Sequence, residues 1–249
     1  AGGAGKGAAD AIAGLVDIGM VSRDPDPAEI KKGIFPVYVL HDAVLPVVSD
    51  KNPALQSLLT KGVTKKTLID IYITGKATNW DDAAGKTGKP IHVYTRSDSA
   101  GAPASWAKYL GNKKQEDLRG VGIYGDPGLI EAAKRDPIGI GYGNFSFVFT
   151  REGGVVKGAR LVPIDSNENG VADPDEVLNT REEAIKAISS GRYPATRKNF
   201  LFTKGKPQGL VKEFIEFALS DEGSKVVETV GTSLPAKKAD REKVLQSLN

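Results

Sequence analysis

His92-Val93-Tyr94-Thr95-Arg96-Ser97-Asp98-Ser99-Ala100-Gly101-Ala102-Pro103-Ala104-Ser105-Trp106 changes its periodicity part-way along. Ile91, Val93 and Thr95 alternate with His92, Tyr94 and Arg96, and most of them are β-formers, so a strand is expected first. Small residues interrupt it. Trp106, Tyr109 and Leu110 then fall at helical spacing, which predicts a helix from about Pro103, where a missing N–H costs nothing. A strand, a small-residue turn and a helix start together make an anion site, because the first helical N–H groups lack partners and the helix dipole adds partial positive charge. Arg96 ends the strand and could grip an oxyanion with two parallel bonds. Asp98, two residues on, could hold that arginine in place. The same pattern also fits an ordinary strand-to-helix turn with a solvent-exposed arginine.

The rest of the chain narrows the class. At 249 residues it has room for one large or two modest domains. Lys and Arg total 34 and Asp and Glu 31, a net charge of +3 that is too mild and too evenly spread to argue for nucleic acid. No stretch reaches the roughly 18 to 20 apolar residues of a membrane span. With no cysteine, disulfides, thiolate chemistry and Cys-ligated zinc are excluded. The sequence opens at Ala1 with neither an initiator Met nor a signal peptide, so a leader was removed or this is a fragment.

Outward from the central stretch, strands mostly alternate with helices, which argues for a parallel-sheet α/β architecture. Residues 1–7 are glycine-rich, followed by a helix over Ala8–Leu15 and a strand over Asp17–Met20. Phe35–Leu40 and Val44–Ser49 read as two strands separated by His41-Asp42. Phe145–Phe149 reads as a further strand, and Ala159–Ile164 as one strand. Thr180 with Glu183 three residues on predicts a capping box at a helix start. Helices are expected at Gln208–Leu219, Asp221–Val230 and Lys238–Leu248.

The Arg96-Ser97-Asp98-Ser99-Ala100-Gly101-Ala102 turn resembles that of the phosphate-binding receptors of ABC importers, which reads Arg-x-Asp-x-Ser-Gly-Thr before a helix. Further motifs follow in the family's order: Gly3-Ala4-Gly5-Lys6-Gly7 with Val16 to Arg23, Asp50-Lys51-Asn52-Pro53, Ile71 to Gly75 with Thr78-Asn79-Trp80, Gly139 to Tyr142, and Gly191-Arg192-Tyr193-Pro194. Each is weak alone; the ordered series is specific and spans nearly the whole chain. The resemblance implies a periplasmic-binding-protein type 2 fold: two α/β lobes, 1–45 plus 199–249 and 46–198, with crossings near Ala43–Val48 and Asn199–Thr203 and an oxyanion closed between the lobes. It implies ligand contacts from Ala4, Ser22, Arg96, Ala100, Gly101 and Ala102, with Asp98 orienting Arg96. It also implies an extracytoplasmic receptor, membrane-anchored in its full-length form, monomeric, with an ABC permease as partner.

Four departures qualify that expectation. Ala4, Ala100 and Ala102 stand where the family usually has Ser or Thr, and each loses a side-chain bond worth about 0.5–1.5 kcal/mol net. Main-chain donors survive such changes. The family also places a strand, a helix and a second strand before the glycine-rich loop, which here begins at Gly2. A first lobe truncated at its N-terminus is therefore expected, with an exposed strand edge able to pair with a neighbour.

A second motif is independent of the first. Asp165 to Glu176 fits D-x-[DN]-x-[DN]-G-x5-E, so Asp165, Asn167, Asn169, the Val171 carbonyl, Asp173 and Glu176 are expected to hold a structural Ca²⁺. An acidic Asn-Gly-type turn that needs no ion is the alternative. His41 and His92 lack metal-ligand company and read as packing or surface residues, although His41-Asp42 lies near an expected crossing.

Three functions follow in order. The first is a receptor that captures phosphate or a related oxyanion for an ABC permease. The second is a ligand-free interaction or sensor domain on the same fold. The third is a phosphoesterase at the same anion site, for which no clustered nucleophile, base or two-metal carboxylate set is visible. No cofactor for activity is expected.

Overall fold

The computed structural model describes residues 3–248. Its elements run α1 (Gly3–Ala13), β1 (Gly19–Val21), α2 (Pro27–Lys31), β2 (Ile34–Ser49), α3 (Leu55–Lys61), β3 (Val63–Thr64), α4 (Lys65–Ile69, continued by a π turn to Thr74) and α5 (Trp80–Ala83). The central stretch gives β4 (His92–Arg96) and α6 (Gly101–Tyr109), followed by β5 (Val121–Ile123), α7 (Gly125–Arg135), β6 (Gly139–Asn144), α8 (Phe145–Val148), β7 (Ala159–Leu161) and β8 (Ile164–Asp165). The chain ends with α9 (Arg181–Ser190), β9 (Thr196–Lys204), α10 (Gly209–Leu219), α11 (Asp221–Val230), β10 (Leu234–Pro235) and α12 (Lys238–Leu248).

These elements form two compact units. The first holds the residues up to Asp42, Ser99–Gly101 and those from Arg197 on; the second holds Ala43–Asp98 and Ala102–Thr196. The chain passes from one to the other inside β2, inside β9 and on either side of Ser99–Gly101. The expected boundaries were 45/46 and 198/199, without the short excursion at Ser99–Gly101.

In the first unit β1 pairs antiparallel with β9, setting Val21 opposite Phe200, and β10 pairs antiparallel with β2. Alternation along β2 sends Ile34 and Tyr38 to one face and Val37 and Val39 to the other. The first face packs with Ala4, Ala8, Ala11, Phe200 and Phe202, the second with Ile215, Leu219 and Leu248. Ala4, Ala8 and Ala11 form the stripe by which α1 lies on β1. The approach is backbone to backbone: a Cβ on Gly7 would sit 2.3 Å from the Met20 carbonyl oxygen, and one on Gly19 2.1 Å from that of Gly7. The glycines expected to form a loop from residue 3 to residue 7 are therefore helical. They are small because a strand runs against them. Residues 1 and 2, where the expected loop began, lie outside the described residues.

The second unit is built on β4, which runs parallel to both β5 and β6, while β6 and β7 pair antiparallel with the second half of β2. The parallel expectation thus holds for the sheet centre and fails at β2, whose antiparallel run is part of a single strand with no break at His41-Asp42. Phe145–Val148 is helical, because Phe145, Val148 and Phe149 are all buried. Their i, i+3, i+4 spacing suits one helix face, whereas a strand would send them to both faces. Ala159–Ile164 splits into β7 and β8, with Val162 bonded to Pro46 and β8 paired to β3. The helix expected from Pro103 starts earlier, at Gly101. Pro103 is tolerated because it still lies in the first turn, where no i−4 carbonyl is available. The capping box at Thr180 forms as expected.

An aromatic trio fills the second unit beneath β4. Trp106 from α6 stacks on Tyr142 from β6 with ring centroids 5.6 Å apart, and Tyr72 meets both edge-on. All three are fully buried. Trp106→Ala should cost about 3–5 kcal/mol of unfolding free energy by urea titration, the usual range for a large core aromatic.

Candidate functional site

Arg96 lies at the carboxyl end of β4, the end at which open α/β sheets bind ligands. It is 8% exposed, so its charge has to be met inside the protein. Two carboxylates meet it. Asp98 takes the side-on face, with Nε donating to Oδ1 at 2.7 Å and Nη2 to Oδ2. Asp126, in the first turn of α7, accepts from Nη1 at 2.5 Å. Three of the five guanidinium N–H groups are thus used, which leaves two without a partner among the described residues.

The clamp is anchored in turn. The Gly125 N–H donates to Asp98 at 3.0 Å and the Gln115 amide to its carbonyl at 2.8 Å. Asp126 accepts from the Asn144 backbone N–H and from its side-chain amide, at 3.0 and 3.1 Å. The Tyr142 hydroxyl bonds Thr95 at 2.8 Å and accepts from the Arg96 backbone at 3.3 Å. The ends of β4 and β6 and the start of α7 are therefore tied to one guanidinium. Burial pulls the Arg96 pKa down, but the two carboxylates outweigh it and the net shift is upward. Asp98 is pulled down to about 2, chiefly by its bond from Arg96. Burial pushes the Tyr142 hydroxyl up to about 12.

The remaining expected contacts divide between the units. Ala102, in the second unit, is buried under the start of α6. Ala4, Ser22, Ala100 and Gly101 all belong to the first unit. Ala4 is part of the apolar cluster under α1, so its methyl serves the core. Gly3 runs close to the 99–100 backbone: a Cβ there would sit 2.3 Å from the Ser99 oxygen. Ser22 follows β1, and a Cβ on Gly101 would fall 2.6 Å from its Cβ. Only glycine lets Gly101 approach so closely.

Two charged groups escaped the sequence reading. Asp126 was not singled out, because nothing local links it to Arg96. Arg197 was not singled out at all. It is nearly buried and donates to Asp42 at 2.7 Å.

The 165–176 loop has spent its acids on itself. Asp165 accepts from the backbone of Asn169 and Gly170, Asp173 from the side-chain amides of Asn167 and Asn169, and Glu176 from the backbone of Ser166 and Asp173. Val171 donates its N–H to Asn169. Among the described residues no three acidic or imidazole side chains gather as a metal set. Each of these carboxylates keeps further lone pairs, so a self-bonded turn and a Ca²⁺ loop would draw on the same residues. His92 bonds Asp136 at 2.7 Å at the surface, and His41 faces the Tyr38 hydroxyl at 3.3 Å.

With a buried arginine at a strand end and a glycine-started helix after it, the comparisons can be placed. A family model described as a PBP superfamily domain matches residues 1–222. The chain belongs to the PBP superfamily. Among relatives of this PBP chain, the phosphate-binding protein PstS of Bacillus subtilis is 28% identical over 229 residues, 92% of this chain and 67% of the relative. The PstS of Staphylococcus epidermidis strain ATCC 12228 is 26% identical over 246 residues, 95% of this chain and 69% of the relative. A crystal structure from Clostridium perfringens, described as a phosphate ABC transporter substrate-binding protein with bound phosphate, superposes with a TM-score of 0.70 at 26% identity. It covers 94% of this chain and 85% of its own. An ABC-type phosphate transport receptor from Vibrio cholerae shares the fold, with a TM-score of 0.69 at 20% identity over 93% of this chain and 85% of its own. The type 2 binding-protein fold is thus the fold of this chain.

Asp98 supplies a direct check on the clamp. Its folded pKa lies below the ordinary value of 3.8, so the stability it contributes is present above that value and is lost as pH falls towards about 2. By carboxyl-carbon NMR, Asp98 should titrate near 2, and in Arg96→Gln its midpoint should rise towards 3.8. Asp98→Asn should be less stable than the parent at pH 7 and converge with it near pH 2.

Proposed function

We propose that this chain is a solute receptor that binds phosphate or a related tetrahedral oxyanion and hands it to an ABC permease. The observation that carries the reading is Arg96, buried at the end of β4, fixed by Asp98 and Asp126, with two N–H donors that have no partner among the described residues. A guanidinium held this way pays no ordering entropy when an anion arrives, because its rotamer is already set. The first-turn N–H groups of Gly101 and Ala102 have no intrahelical partner and add uncharged donors. Ser22 adds a hydroxyl. Family membership and relatives named for phosphate binding support the same ligand.

The receptor works outside the cytoplasm, at the outer face of the membrane that holds the permease. No helix among the described residues is long and apolar enough to cross a membrane. Binding occurs without turnover, since the carboxylates nearest the anion are committed to Arg96 and serve as positioning groups. A domain that kept the fold and lost its ligand would have little use for a buried arginine with open donors.

Isothermal calorimetry with inorganic phosphate, sulfate, molybdate and tungstate tests the reading. Heat with at least one of these, phosphate foremost, is expected, and silence with all four would sink it. Arg96→Ala should abolish the signal. It should also destabilise the fold by about 3–5 kcal/mol, because Asp126 is left buried and uncompensated. Gly101→Ala should weaken binding at least tenfold, since its new Cβ would fall 2.7 Å from the Ser22 carbonyl oxygen and 2.8 Å from Arg197 Nη1.

A further inference from the structure

The first unit contains a second buried arginine whose bonding is unfinished. Arg197 on β9 has a side chain only 7% exposed, and its Nη2 pairs with Asp42. Its Nε and Nη1 have no hydrogen-bond partner among the described residues. Burying guanidinium N–H groups without acceptors is costly, and native structures seldom tolerate it unless something else occupies the place.

Where Nη1 lies is informative. It sits 2.8 Å from the position a Cβ on Gly101 would take, and the Ser22 Cβ lies 2.6 Å from the same point. The β1–β9 register places Val21 opposite Phe200, so the next pair outward is Ser22 and Asn199. Arg197 and Asn199, two apart on β9, share one face of the strand. Asn199 also buries an unpartnered atom, its Oδ1. Unmet donors and an unmet acceptor on one strand face, next to a serine hydroxyl and a helix-starting glycine, describe a place for a small polar molecule.

We propose that Arg197 is an anion-binding arginine of the first unit, which donates from Nη1 to an oxyanion beside Ser22 and Gly101. Asp42 positions it as Asp98 positions Arg96. The assignment rests on the oxyanion-receptor reading above.

The test compares wild type, Arg197→Gln and Arg197→Lys by calorimetry with inorganic phosphate. Melting curves without phosphate report the fold. Arg197→Gln is expected to weaken phosphate binding tenfold or more, and Arg197→Lys less, since it keeps the charge and loses the fork. In wild type, the Arg197 side-chain ¹⁵N resonances, assigned through the backbone, should shift on adding phosphate; this readout stands even where a variant fails to fold. Binding by Arg197→Gln within threefold of wild type, or Arg197 resonances that ignore saturating phosphate, would overturn the assignment and leave the receptor reading intact. A wild type silent with phosphate, sulfate, molybdate and tungstate would sink both.

Discussion

Burying Arg96 at the end of β4 is the constraint around which the second unit is arranged. A guanidinium in that position requires charge and acceptors in fixed places, and each requirement draws in another element. Asp98 comes from the same turn, Asp126 from the first turn of α7, and Asn144 from the end of β6. Below them, Tyr142 bonds Thr95 and the Arg96 backbone while its ring stacks on Trp106. The polar clamp and the aromatic core share residues, so neither can loosen alone. This rigidity suits recognition: donors that cannot reorient lose little on binding.

The first unit repeats the device in simpler form. Arg197 is held by one carboxylate, Asp42, inside a sheet whose two faces are packed by separate apolar clusters. It also explains why His41-Asp42 does not interrupt β2. The polar pair has partners in the sheet, His41 facing Leu234 across β10 and Asp42 receiving Arg197, so the ladder runs through. The alanines that replace expected hydroxyls look different in this light. Ala4 is a core residue of α1 and Ala102 is buried, and at both sites a methyl packs without an unpaired oxygen.

How far the sequence was legible follows from how local each interaction is. Arg96 and Asp98, two residues apart at a strand end, could be paired on paper, and Thr180 with Glu183 likewise. Asp126 lies 30 residues from Arg96, and Asp42 lies 155 from Arg197. No spacing rule joins such residues; only the sheet does. The loop expected from residue 3 to residue 7 came from the family resemblance. The cause of the glycines there is a strand packed against the helix, which a single-sequence pattern does not encode. Phe145–Phe149 was read as a strand from its aromatic content, although the helical spacing of Phe145, Val148 and Phe149 was there to be weighed. The calcium motif supports two readings of one pattern. A specific pattern of oxygen-bearing residues also makes a turn that satisfies itself, and backbone N–H groups compete for the same oxygens.

Charge balance then limits how such a receptor can work. Arg96 faces two carboxylates, Asp98 and Asp126, so its clamp carries a formal charge of −1 before any anion arrives. Long-range attraction to this clamp therefore cannot be the source of affinity. What remains is short-range: guanidinium N–H groups aimed in advance. The carboxylates weaken the local field, but they fix the direction of every donor on the arginine they hold. Directed bonds act over about 3 Å, well inside the roughly 8 Å Debye length of physiological salt. Recognition built this way depends on the shape and acceptor count of the oxyanion more than on its net charge, which is what a receptor needs where other anions are abundant.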